Sequence, residues 1–304
     1  MSRVEVLSDA QWSRIEPMMP SSEGRRGRPW RDHRQVVEGI IYRYRTGVAW
    51  RDLPGSFGPW QTVWERHQAF SRDGTWDRIH AQLIAEADAA GEVDWTVSVD
   101  ATINRAHQHA TTLSRARSGL PASQGAESNY KNSAADPAHE PPDHAIGRSR
   151  GGLSTKVHQL VDGRKRPLVI GLTAGQAGDA PMLKFLLADL AVKRIGPGRP
   201  RTRPDRLLGD KAYSSRANRA LLRSKRVRTV IPQRDDEIGN RIRRGSAGGR
   251  PPSFDPVIYK RRNVVERSFN DHKQWRGIAT RYDKHATTYR GGVVLSAILI
   301  WLRE

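Results

Sequence analysis

The chain has 304 residues and carries 52 Lys+Arg against 32 Asp+Glu, a formal net charge of +20. That excess points to a polyanionic partner, and nucleic acid is the usual one, although a merely soluble Arg-rich protein would show the same excess. There is no cysteine, which excludes disulfides and thiolate zinc sites. The longest apolar run, Val293 to Leu302 broken by Ser296, is too short to span a bilayer, and no charged-then-apolar signal opens the chain; a cytoplasmic protein without a membrane partner is expected.

Residues 1 to about 90 read as all-helical. Ser8 and Asp9 suit the cap of a first helix carrying Trp12 and Ile15 and ended by Pro17. The basic segment Gly24-Arg-Arg-Gly-Arg28-Pro29 reads as a flexible linker or as a minor-groove hook in which Arg28 would touch DNA. A second helix from about Asp32 places Val36, Val37, Ile40, Ile41 and Tyr44 on one face and stops at Gly47. Val48 to Pro59 is a compact turn region. A third helix spaces Trp60, Val63, Trp64, His67 and Phe70 as a core stripe rather than a stacking platform, and a fourth holds Trp76, Ile79, Leu83 and Ile84. Helix, Gly-rich turn, helix fits a DNA-binding helix-turn-helix with Gln61, Thr62, Glu65, Arg66 and Gln68 exposed, and it fits a plain helical bundle as well.

From Val93 to Asp100 the pattern alternates as a strand, with Asp100 at its polar end. Arg105 to Arg150 is polar and aperiodic and reads as a mobile loop, its His107, His109 and His144 solvated. Leu153 to Val161 and Pro167 to Leu172 form a hairpin through Asp162-Gly163. Next come a helix over Pro181 to Val192, an exposed basic loop from Lys193, a short strand to Gly209 followed by Asp210, a helix over Ser215 to Ser224, and a strand over Val227 to Pro232. Asp235 to Pro252 reads as a charged loop. One long helix then sets Tyr259, Arg262, Glu266 and Lys273 along a polar stripe, with Val257, Ile258, Val264, Val265 and Phe269 opposite. An apolar helix over Thr287 to Leu302 closes the chain.

This order predicts an α/β architecture: a ribonuclease H-like catalytic domain, its mixed sheet flanked by helices, over residues 92–304, preceded by a helix-turn-helix-like helical domain over residues 1–91. In such a sheet the first and fourth strands are neighbours, so Asp100 and Asp210 converge and the late helix brings Glu266 to the same edge. Singly, Asp100 reads equally as a turn acid, Asp210 as a cap and Glu266 as half of an i,i+4 ion pair. Together they form a catalytic triad of hard oxygen ligands suited to two Mg²⁺ ions, with Mn²⁺ able to substitute, and to in-line phosphoryl transfer.

The stretch Tyr259 to Lys273 and the segment Arg276-Gly-Ile-Ala-Thr-Arg-Tyr-Asp-Lys284 resemble those of bacterial insertion-sequence transposases of the Asp-Asp-Glu class, family five. Val99-Asp-Ala-Thr102, Gly147 to His158, Gly209-Asp-Lys-Ala-Tyr213 and Gly47-Val-Ala-Trp-Arg-Asp-Leu-Pro54 support the resemblance. It implies Asp100, Asp210 and Glu266 as metal ligands. It implies that Tyr259, Arg262 and Lys273 contact the backbone of the transposon end, and Lys211 beside Asp210 joins this DNA-binding set with Arg28, Gln61 and Arg66. It further implies double-stranded DNA (terminal inverted repeats and target) as partner, a homodimer on DNA, and a place at the nucleoid. A DNA-binding regulator derived from such an enzyme, or a nuclease of the same fold, would share much of this pattern.

Overall fold

The computed structural model describes residues 6–21, 30–112 and 143–303. Arg28 and the central part of the expected loop lie outside the described residues.

Four helices open the fold. Helix α1 (Asp9–Ile15) is capped by Ser8, whose side chain accepts from the Gln11 amide while Gln11 returns the bond to the Ser8 amide. Helix α2 (His33–Thr46) is capped by Asp32 and stops at Gly47, whose φ of 74° is the left-handed conformation glycine adopts without penalty. Two 3-10 turns lead to α3 (Trp60–Arg72), followed by α4 (Thr75–Ala89).

Strand β1 (Thr96–Ala106) begins later than the alternation suggested and runs well past Asp100. Its length comes from pairing: β1 is antiparallel to β3 (Gly152–Val161) from Ser98↔Val161 to Arg105↔Ser154. Thr96 and Ser98 are buried along with Val97 and Val99, so the first part of the strand is covered on both faces and its polar face there is not solvated. Asp100 therefore sits mid-strand rather than at a strand end. A 3-10 turn (Gln108–Thr111) and β2 (Gly147–Ser149) replace both margins of the expected loop. His144 is buried, a correction to the expectation that it is solvated, whereas His109 is exposed and His107 half-buried against Tyr282.

Strand β4 (Pro167–Ala174) completes a hairpin with β3, and the Asp162 carboxylate accepts from the Arg164 and Arg166 amides in its turn. After α5 (Met182–Asp189), β5 (Arg206–Leu208) and β6 (Arg228–Val230) add in parallel on the far side of β1, with α6 (Arg216–Ser224) between them. The described residues form a seven-stranded sheet ordered β2-β3-β1-β5-β6, with β4 on β3 and β7 (Thr280–Arg281) on β1. A hairpin-fed antiparallel half joined to a parallel half through a central first strand is the ribonuclease H-like arrangement.

Two expectations fail in the segment before the last helices. Asp235 to Arg243 is a helix, α7, not a loop: three acids fill its first turn and two arginines its last, each favourable to the helix dipole. The long polar-striped helix is broken into α8 (Pro256–Tyr259), a 3-10 turn (Lys260–Arg262) and α9 (Asn263–Lys273). Val257, expected on the apolar face, is 73% exposed. Proline at the first position of α8 starts a helix only four residues long, and the tighter turn resets the phase before α9.

Helix α10 (Arg276–Ala279) leads to β7 and then to α11 (Ala286–Trp301), which is buried almost end to end. Helix α9 covers one face of the sheet, where Ser268 donates to Gln159 of β3, and α11 lies beside it through His272 and Ser296. Helix α5 covers the other face against Gly171. The N-terminal helices α2, α3 and α4 surround α11, so one apolar core runs from Leu7 to Leu302. The helices approach closely at Gly292, where a Cβ would lie 2.3 Å from the Tyr44 ring.

Candidate functional site

The site is set by register. Residues paired across a sheet share a face, and parity along each strand then carries that face from one residue to the next-but-one. Asp100 is opposite Gln159, which meets Ser268 of α9, so Asp100 faces α9. Ser98 pairs with Leu208, and both Asp100 and Asp210 lie two residues beyond these partners. Asp210 leaves the end of β5 and caps the 3-10 turn Lys211–Tyr213, its Oδ1 accepting from the Ala212 amide at 2.9 Å. Helix α9 presents Glu266 in its first turn.

Arg262 joins β1 to α9. Its Nη1 donates to Asp100 Oδ2 at 2.8 Å and its Nη2 to Glu266 Oε1 at 2.6 Å. Asp100 Oδ1 accepts from the Ala101 amide. Burial raises the Asp100 pKa above the ordinary carboxylate value, and the nearby negative charge of Asp210 adds to it, against the Ala101 amide and Arg262. Arg262 is raised despite its burial because Asp100 and Glu266 favour its charge.

The other expected residues divide. Tyr259 is half-buried, its ring tilted by 59° against Phe254 at 5.2 Å, with the Arg262 guanidinium 5.9 Å from its ring. Lys273, at the far end of α9, approaches the carbonyl of Ile103 at 3.5 Å, and its pKa is lowered by burial. Lys211 is exposed beside Asp210. Gln61 is exposed on α3. Arg66 is held within the fold: its guanidinium lies 3.6 Å from the Trp30 ring centroid and donates to His33. Arg234 was not foreseen; it donates to the carbonyls of Lys211 and Ala212 and lines a recess with Asp210, Asp235 and Asp236. Its only sequence signal was a basic residue before an acidic helix start. Trp60 and Trp64 are half-buried rather than core, a correction to the expected stripe, in which Val63, His67 and Phe70 are fully buried.

Residues 92–301 match the family model of the transposase DDE domain, and residues 7–80 match a model described as a putative transposase of the IS4/5 family. The chain belongs to the DDE transposases. It is 32% identical over 151 residues to a putative transposase for insertion sequence element IS6501 of Brucella ovis, covering 50% of this chain and 100% of that one. It is 35% identical over 108 residues to a 16.2 kDa protein of insertion element IS402 of Burkholderia cepacia, covering 33% and 74%. Protein y4sN of Sinorhizobium fredii is 37% identical over 114 residues, covering 37% and 86%. No solved structure matches.

A DDE transposase acts on DNA with divalent metal. Among the described residues no three His, Cys, Asp or Glu side chains already form a group that could hold an ion. The donor set nevertheless fits one: hard carboxylate oxygens of Asp100 and Glu266 meet at a cation, the Arg262 guanidinium, with Asp210 bearing on Asp100. Among the described residues no helix is long and apolar enough to cross a membrane.

Proposed function

We propose that this transposase binds the terminal inverted repeats of its element, cuts each end and joins it to target DNA, with Asp100, Asp210 and Glu266 as ligands for two Mg²⁺ ions that Mn²⁺ can replace. The meeting of Asp100 and Glu266 on the Arg262 guanidinium carries this reading, since a strand and a helix far apart in sequence converge on one cation. Bound there, divalent ions supply Lewis acidity to the attacking and leaving oxygens of an in-line displacement. Water attacks the phosphorus at the end of the element, and the bond to the 3′-oxygen breaks. The 3′-hydroxyl so formed then attacks a target phosphodiester, releasing a target 3′-hydroxyl.

The remaining roles follow from side-chain chemistry. Arg262 gives a planar fork to a phosphate, Lys273 a point charge, and Tyr259 a hydrogen bond or a stacking face. Lys211 lies where a strand reaching Asp210 would pass. Residues 1–91 act as the end-recognition unit, with Gln61 presented on α3, and residues 92–304 act as the catalytic unit. Both ends of the element have to be paired, so the working form is a homodimer on DNA at the nucleoid.

The reading is tested on paired duplexes made from the DNA flanking the gene, by following product size with Mg²⁺ present. Joined strands are expected. Nicks without joining would reduce the activity to that of a nuclease of this fold, and tight binding with no cuts in Mg²⁺ or Mn²⁺ would make the protein a regulator.

A further inference from the structure

A second recess lies away from the carboxylates, at the seam between the N-terminal helices and the sheet. It has a volume of about 840 Å³, in the range of sites that enclose a small molecule or a nucleotide. Its walls include Trp50 and Trp64 from the helical side and His107 and Tyr282 from the sheet side. Arg51 and Lys284 are exposed at its edge. The sole acid among its described lining residues, Asp283, is already held by Arg43 at 3.0 Å.

Two features mark it as a binding site rather than a packing fault. Arg43 and Thr288 line it, each 2% exposed, and Arg43 Nε and Thr288 Oγ1 have no hydrogen-bond partner. Buried polar atoms of this kind are uncommon in native structures and demand an explanation. The half-buried Trp64 stands outside the apolar core that takes in Val63 and Phe70 of its helix. Flat aromatic faces with uncompensated cations at the edge suit a ligand that combines a π-face with negative charge, as a nucleotide does.

The recess is also within reach of a DNA strand at the carboxylates. His107 follows β1 seven residues after Asp100, about 23 Å at the rise of a strand, which is within one turn of duplex.

We propose that this recess receives one unstacked nucleotide of the element's end, its base against Trp64 and Tyr282 and its phosphate on Arg51 and Lys284. The proposal rests on the reading of the chain as an end-binding transposase. Arg43 and Thr288 then form part of the wall behind the base. The nucleotide fixes the register of the end, so that the scissile phosphate arrives at Asp100.

The test is photocrosslinking of the full-length protein to duplexes copied from the DNA flanking the gene, with 5-iodouracil placed at successive positions through the first turn of the end. One position is expected to crosslink, and peptide mapping should assign it to Trp64, Trp60 or Tyr282. Trp64→Ala should lose that crosslink and weaken end binding about tenfold, while Trp64→Phe keeps most of both. The exposed pair Arg51→Ala and Lys284→Ala, which leaves the core untouched, should weaken binding several-fold and flatten its salt dependence. Crosslinks confined to the α9 region, or unchanged affinity in both sets of variants, would overturn the nucleotide site and leave the transposase reading standing. Failure of the wild-type protein to bind the flanking duplexes would overturn end recognition and this site together.

Discussion

Arg262 has two carboxylate partners in the DNA-free protein, and a phosphate is a third ligand of the same chemistry. These partners compete for one guanidinium. Arg262→Gln removes the internal cation from between Asp100 and Glu266, so titration calorimetry without DNA should show Mn²⁺ binding tightened by about tenfold or more. The same variant should bind end DNA more weakly. Equal Mn²⁺ affinity in wild type and variant would mean that Arg262 does not compete for the carboxylates. The three proposed acids stand out in the sequence because their strand and helix contexts are local patterns. The double contact of Arg262 could not, because it depends on the 3-10 turn at residues 260–262, where a uniform helix was the simpler reading. Arg66 shows the opposite failure. It reads as an exposed helix residue, and only the fold reveals Trp30 lying against it.

At the scale of elements, α11 holds the molecule together, because the N-terminal helices and the sheet both pack on it. Its Gly292 faces the Tyr44 ring of α2, and the Tyr44 hydroxyl meets Asp283 at 3.0 Å and the Thr288 carbonyl at 3.1 Å. Gly292→Ala places a methyl 2.3 Å from that ring. Chemical denaturation should show a loss of about 1–3 kcal/mol, typical of overpacking, and an unchanged midpoint would contradict the observed approach of the two helices. Helices α1 and α2 were legible because their caps and stops, Ser8, Asp32 and Gly47, are short-range signals. Helix α7 carried comparable signals in its acidic start and basic end, but its lack of buried residues removed the apolar periodicity on which the helix reading depends. The extent of β1 was hidden because strand length is set by the partner β3, which lies some fifty residues away in sequence.

At the scale of the whole molecule, four buried histidines set a pH limit on stability. Burial lowers His67, His80 and His158 to about 4 and His272 to about 3. Unfolded, each gains its proton near 6.5; folded, each resists until the pH reaches those lowered values. Their contribution is therefore present above about 6.5 and is lost as the pH falls toward 4. Calorimetry should show a melting temperature that declines through that window, and a flat profile from pH 7 to pH 4.5 would contradict the burial of these rings. The charge of +20 makes a second prediction: affinity for DNA should fall steeply as salt rises, because neutralised phosphates release counterions. A flat salt response would count against a backbone-dominated interface. Charge and composition are legible in any sequence, whereas the shared core that joins the helical region to the sheet is visible only once α11 is seen between them. The most direct test of the carboxylate site is Mg²⁺-dependent cleavage of DNA carrying the gene's own flanks, comparing wild type with Glu266→Gln. Cuts at the element boundary that vanish in the variant, with DNA binding retained, are expected; equal cutting by both proteins would remove Glu266 from the metal site and with it the proposed triad.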